Sequence, residues 1–232
     1  MTDSITPLKS IVRTFLHPFR GFVTWACQRG LLPFAARKVL PHRWAHEPFT
    51  IYGPDWKCNW RPTDFDAIGH MIFWSGLRVW ERETVPVILD QLRKSSCFLD
   101  IGANCGIFSV FGCTVNPTLR VIAIEPVPKT FAALTGNIQA NHFESRITAV
   151  NSALGESNGI VSFHEADDAT MSSMATEGLL RPGWPRDSSK LPHIGFPCGG
   201  TWRCSGFHEN RCGGVCAFGA RRRRAGTKKV PA

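Results

Sequence analysis

The sequence predicts an α/β fold: a parallel sheet alternating with helices, incomplete, with a helical lead-in before it and an irregular tail after it. Three observations predict it. Short apolar runs recur at 97–99, 120–124 and 147–150, with helix-period stripes between them and a glycine-bearing turn after the first run. Strand, helix, strand, helix, strand at this spacing means parallel pairing with right-handed crossovers.

The lead-in covers residues 1–96. Residues 5–44 interleave Leu, Phe, Val and Trp with Lys9, Arg13, Arg20, Arg29, Arg37 and Lys38, and Asp3 is the one acidic residue before Glu47. Two readings fit. One is a set of basic amphipathic helices making weak contact with an anionic membrane surface; the other is a helical segment packed on the main domain with its basic side chains solvated. Pro18, Gly30 and Pro33 interrupt the pattern. Residues 81–94 read as a helix, with Val85, Ile88, Leu89 and Leu92 on one stripe. Glu81 and Glu83 fall in its first turn and Arg93 and Lys94 in its last, each complementing the helix dipole, and Pro86 is tolerated near the start.

Residues 97–177 form the N-terminal half of the α/β domain. Cys97-Phe98-Leu99 is a strand ending at Asp100, followed by the turn Ile101 to Gly106 and a helix from Ile107 to Cys113. Arg120 to Ile124 is a buried strand ending at Glu125-Pro126. Pro128 suits the first position of the next helix, whose stripe is Phe131, Leu134 and Ile138 and whose end lies near Asn141. Ile147 to Val150 is a third strand, and Val161 and Phe163 mark a more exposed fourth.

Charge is unevenly spread. Of the formal +9, residues 1–180 contribute nothing, with 16 Lys/Arg against 16 Asp/Glu, whereas residues 181–232 hold 11 Lys/Arg against Asp187 and Glu209. No nucleic-acid partner is expected, because the basic excess describes a tail and not a domain face. Nine cysteines, an odd number, scattered at first among apolar neighbours, argue against a disulfide framework. No run approaches the ~18 apolar residues of a bilayer span and no signal peptide is evident, so the expected compartment is cytoplasmic.

The turn after the first strand carries the chemistry. Gly102 and Gly106 let a ligand approach the backbone and open a helix whose N–H groups point at it. Asp100 sits at the carboxyl end of the strand, where such sheets place ligands. Glu125, 19 residues past Gly106, ends the second strand, where a carboxylate accepts hydrogen bonds from ribose hydroxyls. Together they outline a nucleoside pocket. A dinucleotide fingerprint needs G-x-G-x-x-G, and Asn104 stands where its middle glycine would be. An NAD(P)-dependent oxidoreductase is the alternative that this departure counts against.

Phe98 through Gly106, Ala123-Ile124-Glu125-Pro126, Asn137, Asn141 and Ala153-Leu154-Gly155 resemble the FkbM family of methyltransferases, and Trp80-Glu81 fits the family's lead-in. The resemblance runs from about residue 60 to about residue 175. It implies a Rossmann-like class I methyltransferase fold, S-adenosyl-L-methionine as cofactor, and methyl transfer to a hydroxyl of a small-molecule, sugar, lipid or polyketide acceptor. It further implies that Asp100, Gly102, Asn104 and Gly106 hold the amino-acid end of the cofactor, Glu125 its ribose, and the region of Asn151 and Ser152 its adenine edge. A sulfonium is already activated, so alignment is the main demand, although a hydroxyl acceptor benefits from a base. His164, Glu165, Asp167 and Asp168 qualify only by proximity and read rather as a solvated strand end and turn, so no catalytic residue is assigned.

Residues 178–232 form a basic Gly/Pro/Cys/Arg-rich tail, expected to be disordered and to offer no amphipathic strand or helix. Cys198, Cys204, Cys212 and Cys216 with His208 match no common zinc spacing, and no metal is expected. The family's fourth-strand motif, Lys-Ile-Asp-x-Glu-Gly, is absent from the tail as written. Synonymous codons for Gly206 to Gly214 read one nucleotide later spell Asp-Phe-Met-Lys-Ile-Asp-Val-Glu-Gly, which points to a frameshift beginning between about residues 178 and 192. On that account the first strand becomes a sheet edge, and a non-catalytic remnant is the rival reading.

Overall fold

The computed structural model describes residues 15–32 and 40–155, and the backbone of strands within 159–164, 173–174 and 188–195. Helix α1 (Arg20–Arg29) follows a single 3-10 turn at His17–Phe19, where Pro18 is harmless because its missing N–H would have had no partner. Gly30 ends α1 in the left-handed region at φ 71°, as its place in the sequence pattern suggests. Val23, Ala26 and Cys27 turn inward, and α1 packs on α2 (Ala67–Ser75).

The lead-in is not all helical. Between α1 and α2 lies an antiparallel hairpin, β1 (Phe49–Tyr52) and β2 (Lys57–Trp60), paired from Phe49 opposite Trp60 to Tyr52 opposite Lys57. Aromatic and β-branched residues in Phe49–Tyr52, the turn residues Gly53-Pro54-Asp55, and buried Cys58 and Trp60 alternating with exposed Lys57 and Asn59 are the reason. Helix α3 (Thr84–Lys94) buries Val85, Leu89 and Leu92 as the stripe requires. It begins three residues later than its acidic start suggests: Glu81 lies at φ 46° outside the helix and Glu83 is its N-cap.

The central sheet agrees closely with the periodicity. Strand β3 (Cys97–Ile101), helix α4 (Ile107–Val115), strand β4 (Arg120–Ile124), helix α5 (Pro128–Ala140) and strand β5 (Ile147–Val150) follow in order. The sheet runs β3-β4-β5, all parallel, with Asp100 beside Ala123 and Ile124 beside Val150. Phe98, Val121, Ala123 and Ile147 meet Val110 and Phe111 of α4 and Leu134 and Ile138 of α5 in one hydrophobic core that also takes in Trp44, Trp60 and Phe73. Burying each large side chain contributes about 1.5–3 kcal/mol. Cys27, Cys58, Cys105 and Cys113 belong to this core as small apolar groups.

A second sheet contains β6 (Ala153–Gly155), β7 (Gly159–His164), β8 (Ser173–Met174) and β9 (Ser188–Gly195), in the order β6-β9-β7-β8. Strand β7 covers the fourth strand read at Val161 and Phe163. Strand β9 corrects the expectation of a tail without strands: Ser188–Gly195 runs parallel to β6 and antiparallel to β7. Among the described residues β3 pairs with β4 alone, so it is an edge. No described helix is long and apolar enough to cross a membrane.

Candidate functional site

The turns at the carboxyl ends of β3, β4 and β5 are bonded into one rim. The amides of Gly102 and Ala103 both donate to the Ile124 carbonyl at 2.9 Å, which pins the first turn to the end of β4. Left-handed backbone at Gly102 (φ 71°), Asn104 (φ 53°) and Gly106 (φ 87°) lets the chain reverse between β3 and α4. The two glycines are needed for different reasons. A Cβ on Gly106 would lie 2.4 Å from Leu134 Cδ1, inside the core. A Cβ on Gly102 would meet no protein atom within 4 Å, so this glycine faces open space at the mouth of the rim.

Glu125 is 5% exposed and joins the turns. Its Oε2 accepts from the Asn104 amide at 2.9 Å and its Oε1 from the Val127 amide at 3.0 Å. Asn151 extends the rim to β5, its Nδ2 donating to the carbonyls of Glu125 at 2.8 Å and Pro126 at 3.0 Å. Ser152 is buried and bonds locally: its amide donates to Val150 and its hydroxyl to Ala153. Each oxygen of Glu125 keeps further acceptor capacity, since a carboxylate offers about four lone-pair positions.

Asp100 lies at the base of the site, 3% exposed, accepting from the Ser109 hydroxyl at 2.5 Å and from the Ser109 amide. Burial pushes its pKa up from the usual 3.8 to about 6, and the Ser109 bonds restrain the rise. Burial also raises Glu125; the amides of Val127 and Asn104 act against it and the Asp100 charge adds to it. Neither carboxylate is in an ion pair among the described residues. The Cys105 thiol is pushed well up by burial, and further by Asp66 and Glu125, which excludes it as a thiolate.

Two contributors have no role assigned from the sequence. Ser109 is one; its signal is a hydroxyl inside the apolar run Ile107-Phe108-Ser109-Val110-Phe111. The other is the support behind the turn: Asn137 Nδ2 donates to the Cys105 carbonyl at 2.9 Å, and its Oδ1 accepts from the Arg61 amide at 2.7 Å. Asp66 caps α2 by accepting from Gly69 and also accepts from Trp60 Nε1 at 2.6 Å. The side chains of His164, Glu165, Asp167, Asp168 and the Cys198–Cys216 cluster lie outside the described residues.

No protein-family model matches the chain. A 31-O-demethyl-FK506 methyltransferase, FkbM, of Streptomyces tacrolimicus is 32% identical over 83 residues, 36% of this chain and 31% of the relative. That stretch of the chain is FkbM-like. The chain spans about a third of that relative's length. Among solved structures, P. horikoshii TYW2 in complex with MeSAdo is 30% identical over 29% of this chain and 25% of its own, at a TM-score of 0.27. The S-adenosylmethionine-dependent methyltransferase SibL, in its apo form, is 22% identical over 36% of this chain and 25% of its own, at a TM-score of 0.31. The α/β class of the chain stands on its own strand order, helices and parallel register.

Proposed function

We propose that this chain binds S-adenosylmethionine at the β3–α4 turn and serves methyl transfer to a hydroxyl acceptor. One observation carries the reading. The turn leaves an open cradle at Gly102 beside two buried carboxylates, Asp100 and Glu125, that have no cationic partner among the described residues. Such a site suits a ligand carrying ammonium and sulfonium groups and would repel a pyrophosphate. The same physics weighs against the NAD(P) alternative. The relative's printed substrate, a demethylated oxygen, supports a hydroxyl acceptor here.

The residues present fit the cofactor. Asp100, Gly102, Asn104 and Gly106 would hold its amino-acid end, Glu125 its ribose, and Asn151 and Ser152 its adenine edge. Bound there, S-adenosylmethionine supplies a methyl group on an activated sulfonium. The chain's own part is to fix the rim: Glu125 holds the first two turns together, Asn151 holds the third, and Ser109 keeps Asp100 in place. A rim fixed before the ligand arrives lowers the entropic cost of binding it.

Titration calorimetry of the full chain with S-adenosylmethionine, S-adenosylhomocysteine and NAD tests this. The first two should bind and NAD should not. Gly102→Val should abolish binding; its added side chain meets no protein atom, but φ 71° strains any L residue there, so circular dichroism must first show the variant folded. Retained binding by Gly102→Val, or preference for NAD, overturns the assignment.

A further inference from the structure

Asp100 and Glu125 repel one another across the rim, and nothing of opposite sign among the described residues offsets them. The groups that bear on Asp100 are the neutral hydroxyl and amide of Ser109 from α4 and, at the end of β4, Glu125, whose ionisation the Asp100 charge opposes. Those that bear on Glu125 are the amides of Asn104 and Val127, with Asn151 on its carbonyl. The Cys105 thiol near it stays protonated. Neither carboxylate is in an ion pair among the described residues. Buried charges are ordinarily paired, so two like charges held out of water at the mouth of a ligand cradle call for a cation that the ligand brings.

The cofactor places its cation at a definite point. On the reading above, the turn after β3 takes its amino-acid end and Glu125 its ribose. Sulfur is the atom that joins these two parts, so its charge falls between the two carboxylates. In a buried site a full charge acts over several ångströms without contact. Methyl transfer moves the carbon–sulfur bonding pair onto sulfur, while an acceptor oxygen supplies the pair for the new bond and its proton passes to water. A neutral thioether then stands where the sulfonium stood. We propose that Asp100 and Glu125 make this site charge-selective, holding S-adenosylmethionine in preference to S-adenosylhomocysteine, with Asp100 the specificity-determining residue. The inference rests on the cofactor reading and adds that the product leaves because its sulfur charge is gone.

Titration calorimetry of the full chain at pH 7.5 tests it. S-adenosylmethionine should bind roughly tenfold more tightly than S-adenosylhomocysteine. Asp100→Asn keeps an acceptor for Ser109 and removes the charge. It should bring the two affinities within about threefold of each other, chiefly by weakening S-adenosylmethionine. Because the variant could misfold, a second measurement uses the unaltered chain. Burial raises the Asp100 pKa to about 6, so at pH 6 that carboxyl is half protonated before the ligand arrives, and a cation beside it expels the proton. Titrations at pH 6 in two buffers of different ionisation enthalpy should count a net release of about half a proton with S-adenosylmethionine, and less with S-adenosylhomocysteine. Equal affinity for the two ligands at pH 7.5, a folded Asp100→Asn variant that keeps the full preference, or no proton release overturns this inference and leaves the cofactor reading standing. Binding of neither ligand overturns both.

Discussion

Asp100 shows how one residue links fold and ligand. A carboxyl whose pKa rises from 3.8 to about 6 in the folded chain binds its proton more tightly there than when unfolded. Its stabilising contribution is therefore fully present below the unfolded value and is lost as pH climbs through the folded one. The loss should be on the order of 3 kcal/mol, at about 1.4 kcal/mol per pKa unit. The raised pKa values of Glu125 and Asp66 push in the same direction. Asp100→Asn preserves an acceptor for Ser109 and removes the charge. In ligand-free protein it should flatten the fall in stability over that pH window and unfold at higher denaturant than the parent at pH 7. Parallel pH profiles for the two proteins would refute the buried-charge account.

At the scale of elements, the β1–β2 hairpin and α5 act on the site from behind. Asn137 and Asn141 stand one turn apart on α5, on a face that meets the end of β2. Asn141 Nδ2 donates to the Asn59 carbonyl and its Oδ1 accepts from the Asn59 amide, both at 2.8 Å, while Asn137 bridges Arg61 to Cys105. The hairpin thus reaches the glycine turn through a single fully buried amide. Asn137→Leu, close in volume, would orphan the Arg61 amide and the Cys105 carbonyl. It should cost on the order of 2–4 kcal/mol in denaturant unfolding, because each orphaned buried polar group costs about 1–3 kcal/mol. Amide exchange should quicken at residues 101–106 together with 59–61. A loss under about 1 kcal/mol, or faster exchange confined to α5, would break the link.

Over the whole molecule, the three-stranded parallel sheet has β3 at its edge among the described residues, with the candidate site at the carboxyl end of that strand. Parallel sheets ordinarily cover such strands on both sides. The family resemblance places a Lys-Ile-Asp-x-Glu-Gly strand in the missing neighbourhood, and the shifted codons of residues 206–214 can encode it. The coding DNA downstream of Glu177, read one nucleotide later from a point within residues 178–192, should contain that motif in an open frame. A protein made from the restored frame should stay monomeric at concentrations where the present chain associates through its open edge. DNA without such a frame would leave the tail, including β9, as a native part of the protein.

The sequence by itself determined the central β3-α4-β4-α5-β5 unit. Period-2 runs, the stripe of Phe131, Leu134 and Ile138, Pro128 at a helix start and two glycines in a turn are all local signals, and local signals are legible one residue at a time. It also located the rim: Asp100, Gly102, Asn104, Gly106, Glu125 and Asn151 do converge at the strand ends. Only the tertiary structure decided how they are joined. Glu125 accepts two backbone amides, Gly106 makes room for Leu134 and Gly102 for open space, and Asn137 holds the turn from the far side of α5. Such partnerships join residues up to 82 positions apart, as Asn59 and Asn141 are. No window of sequence contains both members, because packing and not chain order brings them together.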